Sequence, residues 1–183
     1  VTGLHTSNAV LSQEFDSSLD SFNAEKVEFK YGNALKDIID LQANYSPHAK
    51  SKAKMNTVDY ATQVGEGIAI ERVAIIQQGN WIYNEVKDID KDVAESLDIL
   101  PIPVKGAKED SIPVGVPMYW AINKDRPGAN KQAAKDFLNW LYTSEKGKDF
   151  VVNKFFFIPP LNGYENYEPQ DALGRAVKRY AEE

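Results

Sequence analysis

An apolar, largely β-branched run from Ile68 to Ile76 is the strongest indicator of architecture in this chain. A run of this length and composition is typical of a strand buried inside a sheet. Gln77 to Asn80 interrupt it, and Asn80 is suited to cap a helix beginning at Trp81, because its side chain can accept a hydrogen bond from an unpaired backbone amide. The sequence therefore predicts a strand, a turn and a helix in succession.

Further strands and helices are predicted on both sides of this unit. Residues 97–104 contain Pro101 and Pro103, which favours an edge strand or an extended exit, and residues 114–122 predict another strand. Asn130 and Ser144 are the predicted N-caps of two later helices. The predicted fold class is therefore α/β, with helical spacing of apolar residues in residues 6–22, 35–45, 58–64, 130–141, 143–151 and 173–180.

Composition excludes several classes of partner and site. The chain has 183 residues and a formal net charge of -6, which disfavours binding to a phosphate backbone, since such binding needs clustered lysines and arginines. The absence of cysteine excludes a disulfide framework and a thiolate zinc site. No window reaches the roughly 20 apolar residues that cross a bilayer. We expect no nucleic-acid partner and no cofactor.

Patterns that would indicate calcium binding or catalysis are incomplete. Asp88, Asp90 and Asp92 imitate the opening of a calcium loop, but Val93 and Ile99 stand where that loop needs glycine and glutamate. A solvated acidic turn is therefore predicted. The two histidines have no partner motif, and no nucleophile elbow or zinc-protease helix is present. A carboxylate pair like that of a glycosidase stays open, because the acidic residues offer many pairs.

An ordered series of short motifs indicates a family. Each motif is common by chance when it stands alone, so the order in which they occur carries the argument. They are residues 68–76, Gly79-Asn80-Trp81, residues 100–103, Val114-Gly115, residues 120–123, residues 130–138, residues 144–147 and residues 157–160. In this order, and best between residues 56 and 164, the series resembles the later part of the sugar-type extracellular solute-binding proteins, the family that includes maltose-binding protein.

The resemblance implies a periplasmic-binding-protein-like fold of type II, a two-lobe venus flytrap that closes over its ligand by rigid-body motion. Residues 1–114 would belong mainly to the C-terminal lobe, residues 115–160 would return to the N-terminal lobe, and residues 161–183 would turn back towards the C-terminal lobe. The chain would be a fragment that lacks the first segment of the N-terminal lobe and the last C-terminal helices. Its start at Val1, without an initiator Met or a signal-like segment, agrees with that expectation.

The resemblance also predicts ligand contacts at Asn80, Trp81, Met118, Tyr119 and Trp120. Members of the family place an aromatic residue against the sugar at the helix start that Trp81 occupies. An aromatic plane can desolvate the C–H face of a pyranose, while a polar group such as Asn80 meets its hydroxyls. The alternatives are a core anchor for Trp81 and a helix cap for Asn80. Alternation along residues 118–120 puts Met118 and Trp120 on one face, and one face should be buried.

The implied function is capture of a carbohydrate and its delivery to the permease subunits of an ABC transporter, without an enzymatic step. We expect an exported monomer, either periplasmic or a cell-surface lipoprotein, that meets the membrane only through a lipid anchor outside this segment. A glycoside-processing enzyme domain and a structural or adaptor module are the alternative functions.

Overall fold

The structure, a computed structural model, describes residues 5–106, 110–115 and 119–182. Within these ranges the regular elements are helices, and no β-strand is formed. The chain divides into two compact units, residues 1–113 and residues 114–183. The assignment of these units to the lobes of a two-lobe receptor stays a prediction.

Short helices dominate the first unit, and longer ones the second. The first unit contains α1 (Ser7–Leu11), α2 (Ser18–Asn23), α3 (Gly32–Tyr45), α4 (Tyr60–Gly65), α5 (Tyr83–Ile89) and α6 (Lys91–Ser96). Its 3-10 helices are Ser12–Glu14, Lys52–Thr57, Ile68–Ile70 and Asn80–Ile82. The second unit contains α7 (Gly128–Thr143), α8 (Glu145–Asn153) and α9 (Ala172–Glu182).

Several predicted helix boundaries are confirmed. Helix α3 ends at Tyr45, and Ser46 before the proline is extended, as the restriction on a residue preceding proline requires. Ser144 caps α8 by accepting a hydrogen bond from the backbone N–H of Gly147 at 3.0 Å. The helix predicted over residues 6–22 is divided in two, because Phe15 adopts an extended backbone between its halves.

The strand predicted from Ile68 to Ile76 is wrong. Ile68–Ile70 form a 3-10 helix, and Glu71 after it has a left-handed backbone with φ of 57°. The N–H of Arg72 donates to the carbonyl of Gly67 at 2.9 Å, which closes the turn. A strand needs its backbone groups for a ladder with a neighbour, and here local turns use the N–H groups of Glu71 and Arg72 and the carbonyls of Gly67 and Ile68.

The other strand predictions are also not met where the structure describes them. Residues 97–104 have no regular structure, so the alternative of an extended exit fits, and Val104 at its end is buried. Residues 114–115 and 119–122 form no strand, while the intervening part of that prediction, with Met118, lies outside the described residues. The α/β class is therefore not shown by this structure.

Two predicted helix caps are wrong. Asn80 is the first residue of the 3-10 helix that follows extended Gly79, so it does not precede the helix as a cap must. Asn130 lies inside α7, which begins at Gly128. Asp90, which belongs to the predicted acidic turn, caps a different helix: its Oδ1 accepts hydrogen bonds from the N–H groups of Asp92 and Val93 at 2.9 and 3.0 Å at the start of α6. The acidic turn is thus a helix cap.

Each unit has its own apolar core. In the first unit, helices α1 and α3 pack through Val10, Ala34 and Ile38, and Val104 joins them. In the second unit, α7 and α8 pack through Leu141, Val151 and Val152, and Tyr164 closes this cluster from the following loop. The predicted apolar face of α9 is buried at Leu173 and Ala176.

Candidate functional site

Trp81 is presented on the surface of the first unit by buried neighbours. Its exposed fraction is 48%, whereas Ile82 is 4% exposed and Tyr83 and Val86 are buried. These neighbours fix the turn that joins the 3-10 helix to α5, and they fill the core position that was the alternative role for Trp81. Nearly half of a large aromatic surface is therefore left open on this turn.

The indole of Trp81 rests against Gly79. A Cβ atom added to Gly79 would lie 2.3 Å from Cζ3 of the indole and 2.6 Å from Cε3, closer than atoms can approach. Only glycine leaves room for the ring in this position. The ring of His5 lies beside the indole, with 5.3 Å between the centroids and an angle of 37° between the planes.

One side-chain amide binds this indole and a second amide binds the first. The indole N–H of Trp81 donates to Oε1 of Gln78 at 3.1 Å, and Nε2 of Gln78 donates to Oε1 of Gln63 on α4 at 2.5 Å. Gln77, which precedes Gln78, makes a separate pair of hydrogen bonds. Gln42 donates to Gln77, and Gln77 donates to the buried hydroxyl of Thr6. Gln77 thus links α3 to Thr6, the residue before α1, and Gln78 links α4 to the turn that carries Trp81.

The sequence contained only a weak signal for this cluster. Gln77-Gln78 stands directly before Gly79-Asn80-Trp81, and a pair of amides beside an exposed tryptophan is what a polyhydroxylated ligand would need. Gln63 carries no such signal, because it is distant in sequence. Asn80, the residue before Trp81, is half-buried.

A second aromatic site lies in the second unit. Tyr119 is 84% exposed and Trp120 is 62% exposed, so the expected burial of one face is not found in the described residues 119–120. The indole N–H of Trp120 donates to the hydroxyl oxygen of Tyr142 at 2.7 Å. Tyr142, near the end of α7, packs against the core of this unit and was missed by sequence analysis. Met118 lies outside the described residues.

The second unit also has a shallow cavity of about 310 Å³. Neither Tyr119 nor Trp120 lines it. Backbone N–H groups of Gly163 and of Glu165 itself hold the pKa of the Glu165 carboxyl below its usual value. The residues that line the cavity are Val152, Phe157, Ile158, Pro159, Tyr164, Glu165, Tyr167, Pro169 and Lys178.

Two titratable groups of the first unit, Asp59 and Tyr60, lie at the start of α4. Partial burial, followed by a hydrogen bond to Glu85, raises the pKa of Tyr60, which is still 41% exposed, to about 12. Asp59 caps α4 through a hydrogen bond from the N–H of Thr62 at 2.8 Å, and this bond lowers the pKa of Asp59.

Among the described residues, no three histidines or acids come together as metal ligands would. None of the helices there combines the length and apolar character needed to cross a membrane.

A family model described as bacterial extracellular solute-binding protein matches residues 12–176, a range that includes most of both compact units. No curated protein and no solved structure matches the chain. Proteins of this family bind a solute and deliver it to the permease of an ABC transporter, and they are not enzymes. The expected family is confirmed by this match. On this evidence the chain belongs to the bacterial extracellular solute-binding proteins.

Proposed function

We propose that the solute captured by this chain is a carbohydrate and that the exposed face of Trp81 is a platform for a sugar ring. The observation that carries the proposal is the pairing of a half-exposed indole with the side-chain amide of Gln78, which in turn binds the amide of Gln63. A pyranose has an apolar C–H face and a rim of hydroxyls, so it needs an aromatic plane and polar groups close together.

The immobilisation of Trp81 supports this role. Gly79 sits against the ring, Gln78 accepts its N–H, and buried Ile82 anchors the next residue. A ring that is already fixed loses little conformational freedom when a ligand covers it, and preorganisation of this kind improves affinity. Asn80, half-buried beside Trp81, offers both a donor and an acceptor for sugar hydroxyls.

Trp120 supports the same ligand class independently. Its ring is largely exposed, and its N–H is held by the hydroxyl of Tyr142. Tyr119 adds a second exposed aromatic ring next to it. We include Asn80, Trp81, Tyr119 and Trp120 in the proposed ligand-binding set, together with Met118.

Finer features of the receptor belong to the same proposal. They are a two-lobe α/β flytrap with residues 1–114 mainly in the C-terminal lobe, residues 115–160 in the N-terminal lobe and residues 161–183 turning back towards the C-terminal lobe. We further propose a monomer that reaches permease subunits from the periplasm or from a lipid anchor on the cell surface.

The test is a titration of the receptor with a defined panel, followed by calorimetry and native mass spectrometry. The panel contains glucose, galactose, maltose and cellobiose, with a dipeptide, spermidine and Zn²⁺ as the competing ligand classes. We expect saturable binding to at least one sugar and recovery of that sugar with unchanged mass. Binding of the dipeptide, spermidine or Zn²⁺ without any sugar would contradict the proposed ligand class.

A further inference from the structure

We propose that Gln78 and Gln63 form a directional amide relay that fixes the indole of Trp81 and ends in a hydrogen-bond donor, the Gln63 amide nitrogen, for an acceptor oxygen of the ligand. The proposal rests on the proposed function, because it takes Trp81 as the sugar platform. It assigns a positioning role to Gln78 and a ligand-contacting role to Gln63.

The direction of the relay follows from the chemistry of the indole. An indole N–H can only donate, so the atom of Gln78 that faces Trp81 must be the oxygen, 3.1 Å away. The nitrogen of Gln78 then faces Gln63, and Oε1 of Gln63 accepts its hydrogen bond at 2.5 Å. One donor-only group therefore fixes the orientation of both amides.

The outer end of the relay is consequently a donor. With Oε1 of Gln63 turned towards Gln78, Nε2 of Gln63 points away with two N–H groups, and no acceptor for them occurs among the described residues. This nitrogen reaches solvent, since the buried polar atoms without a partner in the described ranges are limited to Oδ1 of Asn153. A sugar hydroxyl or ring oxygen is the kind of acceptor that fits it.

The backbone packs closely at both ends of the relay. Gln63 lies in α4, and a Cβ atom on Gly67 would come within 2.3 Å of the carbonyl oxygen of Gln63, so the turn after α4 is packed directly against this residue. At the other end the Trp81 ring occupies the space over Gly79. Glycine is thus required beside each end of the relay, next to the backbone of Gln63 and next to the ring of Trp81.

The positioning role can be measured without any ligand. We expect Gln78→Leu to accelerate hydrogen exchange of the Trp81 indole N–H about tenfold, because the bond that protects it is lost. The measurement uses ¹⁵N-labelled receptor, with the Trp81 resonance assigned by its absence in Trp81→Phe. Gln132→Leu, on the exposed face of α7, is the control and should leave this exchange unchanged. An unchanged exchange rate in Gln78→Leu would overturn the relay.

Gln63→Glu separates the donor from the positioning role. A carboxylate still accepts the N–H of Gln78 but has no N–H to donate, so Trp81 should keep its exchange rate while affinity for the bound sugar of the panel falls about tenfold. Combining it with Glu66→Gln restores the net charge and should not rescue binding. Unchanged sugar affinity in Gln63→Glu would refute the donor end. Failure of the wild type to bind any of the four sugars would refute the proposed function, while the exchange experiment would still decide the relay.

Discussion

The indole N–H of Trp120 and the hydroxyl oxygen of Tyr142 are joined by a hydrogen bond of 2.7 Å that spans 22 residues of sequence. Trp120 is largely exposed, and Tyr142 packs against the core of Leu141, Val151 and Val152. The core of the second unit therefore determines the position of an exposed aromatic ring through a single polar contact at its edge.

Tyr142→Phe should loosen the Trp120 ring while leaving the core intact. Water can replace the lost partner of the exposed indole, so the free energy of unfolding should fall by less than about 1 kcal/mol. Sugar affinity should fall several-fold, which calorimetry would measure. Tyr164→Phe is the matched control, because the Tyr164 hydroxyl donates to the carbonyl of Tyr142 at 3.0 Å from a buried position. That change should reduce stability and spare affinity; the reverse pattern would contradict the assignment.

The helices could be predicted from sequence where one chain segment contains the whole signal. Helix α3 has its apolar face and its terminating proline within a few residues, and Ser144 needs only the N–H of Gly147 to cap α8. The strand at Ile68 could not be judged in this way, since an apolar run becomes a strand only when a neighbour supplies a ladder. The apolar residues of one segment do not indicate whether a neighbouring strand is present.

Trp81→Ala should weaken binding far more than folding. The lost ring is half-exposed, so we expect a stability cost of about 1 to 2 kcal/mol, against a roughly 10-fold to 150-fold loss of affinity for a stacked sugar. Ile82→Ala is the adjacent control, since Ile82 is 4% exposed and its truncation should cost about 2 to 5 kcal/mol through a cavity. Thermal melts and titrations of both variants distinguish the two roles. Equal affinity of Trp81→Ala and wild type would eliminate the stacking contact.

Ionisation of the Tyr60 phenol should lower the free energy of unfolding of the first unit at alkaline pH. Its pKa is raised to about 12 in the folded chain, from an ordinary value of 10.0, by partial burial and by the Glu85 carboxylate. The unfolded chain therefore releases the phenol proton first, so the stabilising contribution is complete below pH 10 and is lost as pH rises towards 12. Urea unfolding at intervals between these pH values should show a steeper decline for wild type than for Tyr60→Phe. Parallel declines would mean that Tyr60 is not the group responsible.

The aromatic residues of the candidate site could be predicted from the sequence, whereas the residues that hydrogen-bond around them could not. Trp81 and Trp120 stand in recognisable motifs, whereas Gln63 and Tyr142 are ordinary residues of helices α4 and α7. Their importance comes from hydrogen bonds that span 15 and 22 residues of sequence. Contacts of this kind depend on how helices pack, which no local pattern contains.

Gly79→Ala should displace the Trp81 ring without changing any side chain of the proposed site. The backbone of Gly79 is extended, with φ of -127°, so alanine can adopt it without strain. The new methyl group, however, would lie 2.3 Å from the indole, and the ring must rotate away and release Oε1 of Gln78. We expect sugar affinity to fall about tenfold and exchange of the Trp81 indole N–H to accelerate.

The control for this substitution is Gly128→Ala in the first turn of α7, where an added Cβ meets nothing within 4 Å. Alanine there should raise stability by roughly 0.5 to 1 kcal/mol, because it restricts the unfolded chain, and should leave affinity unchanged. If Gly79→Ala also keeps both affinity and indole exchange at the wild-type values, the position of the ring over Gly79 is not what the ligand requires. Loss of affinity with unchanged exchange would instead place the ligand on Gly79 itself, because only the bound solute would then sense the methyl group.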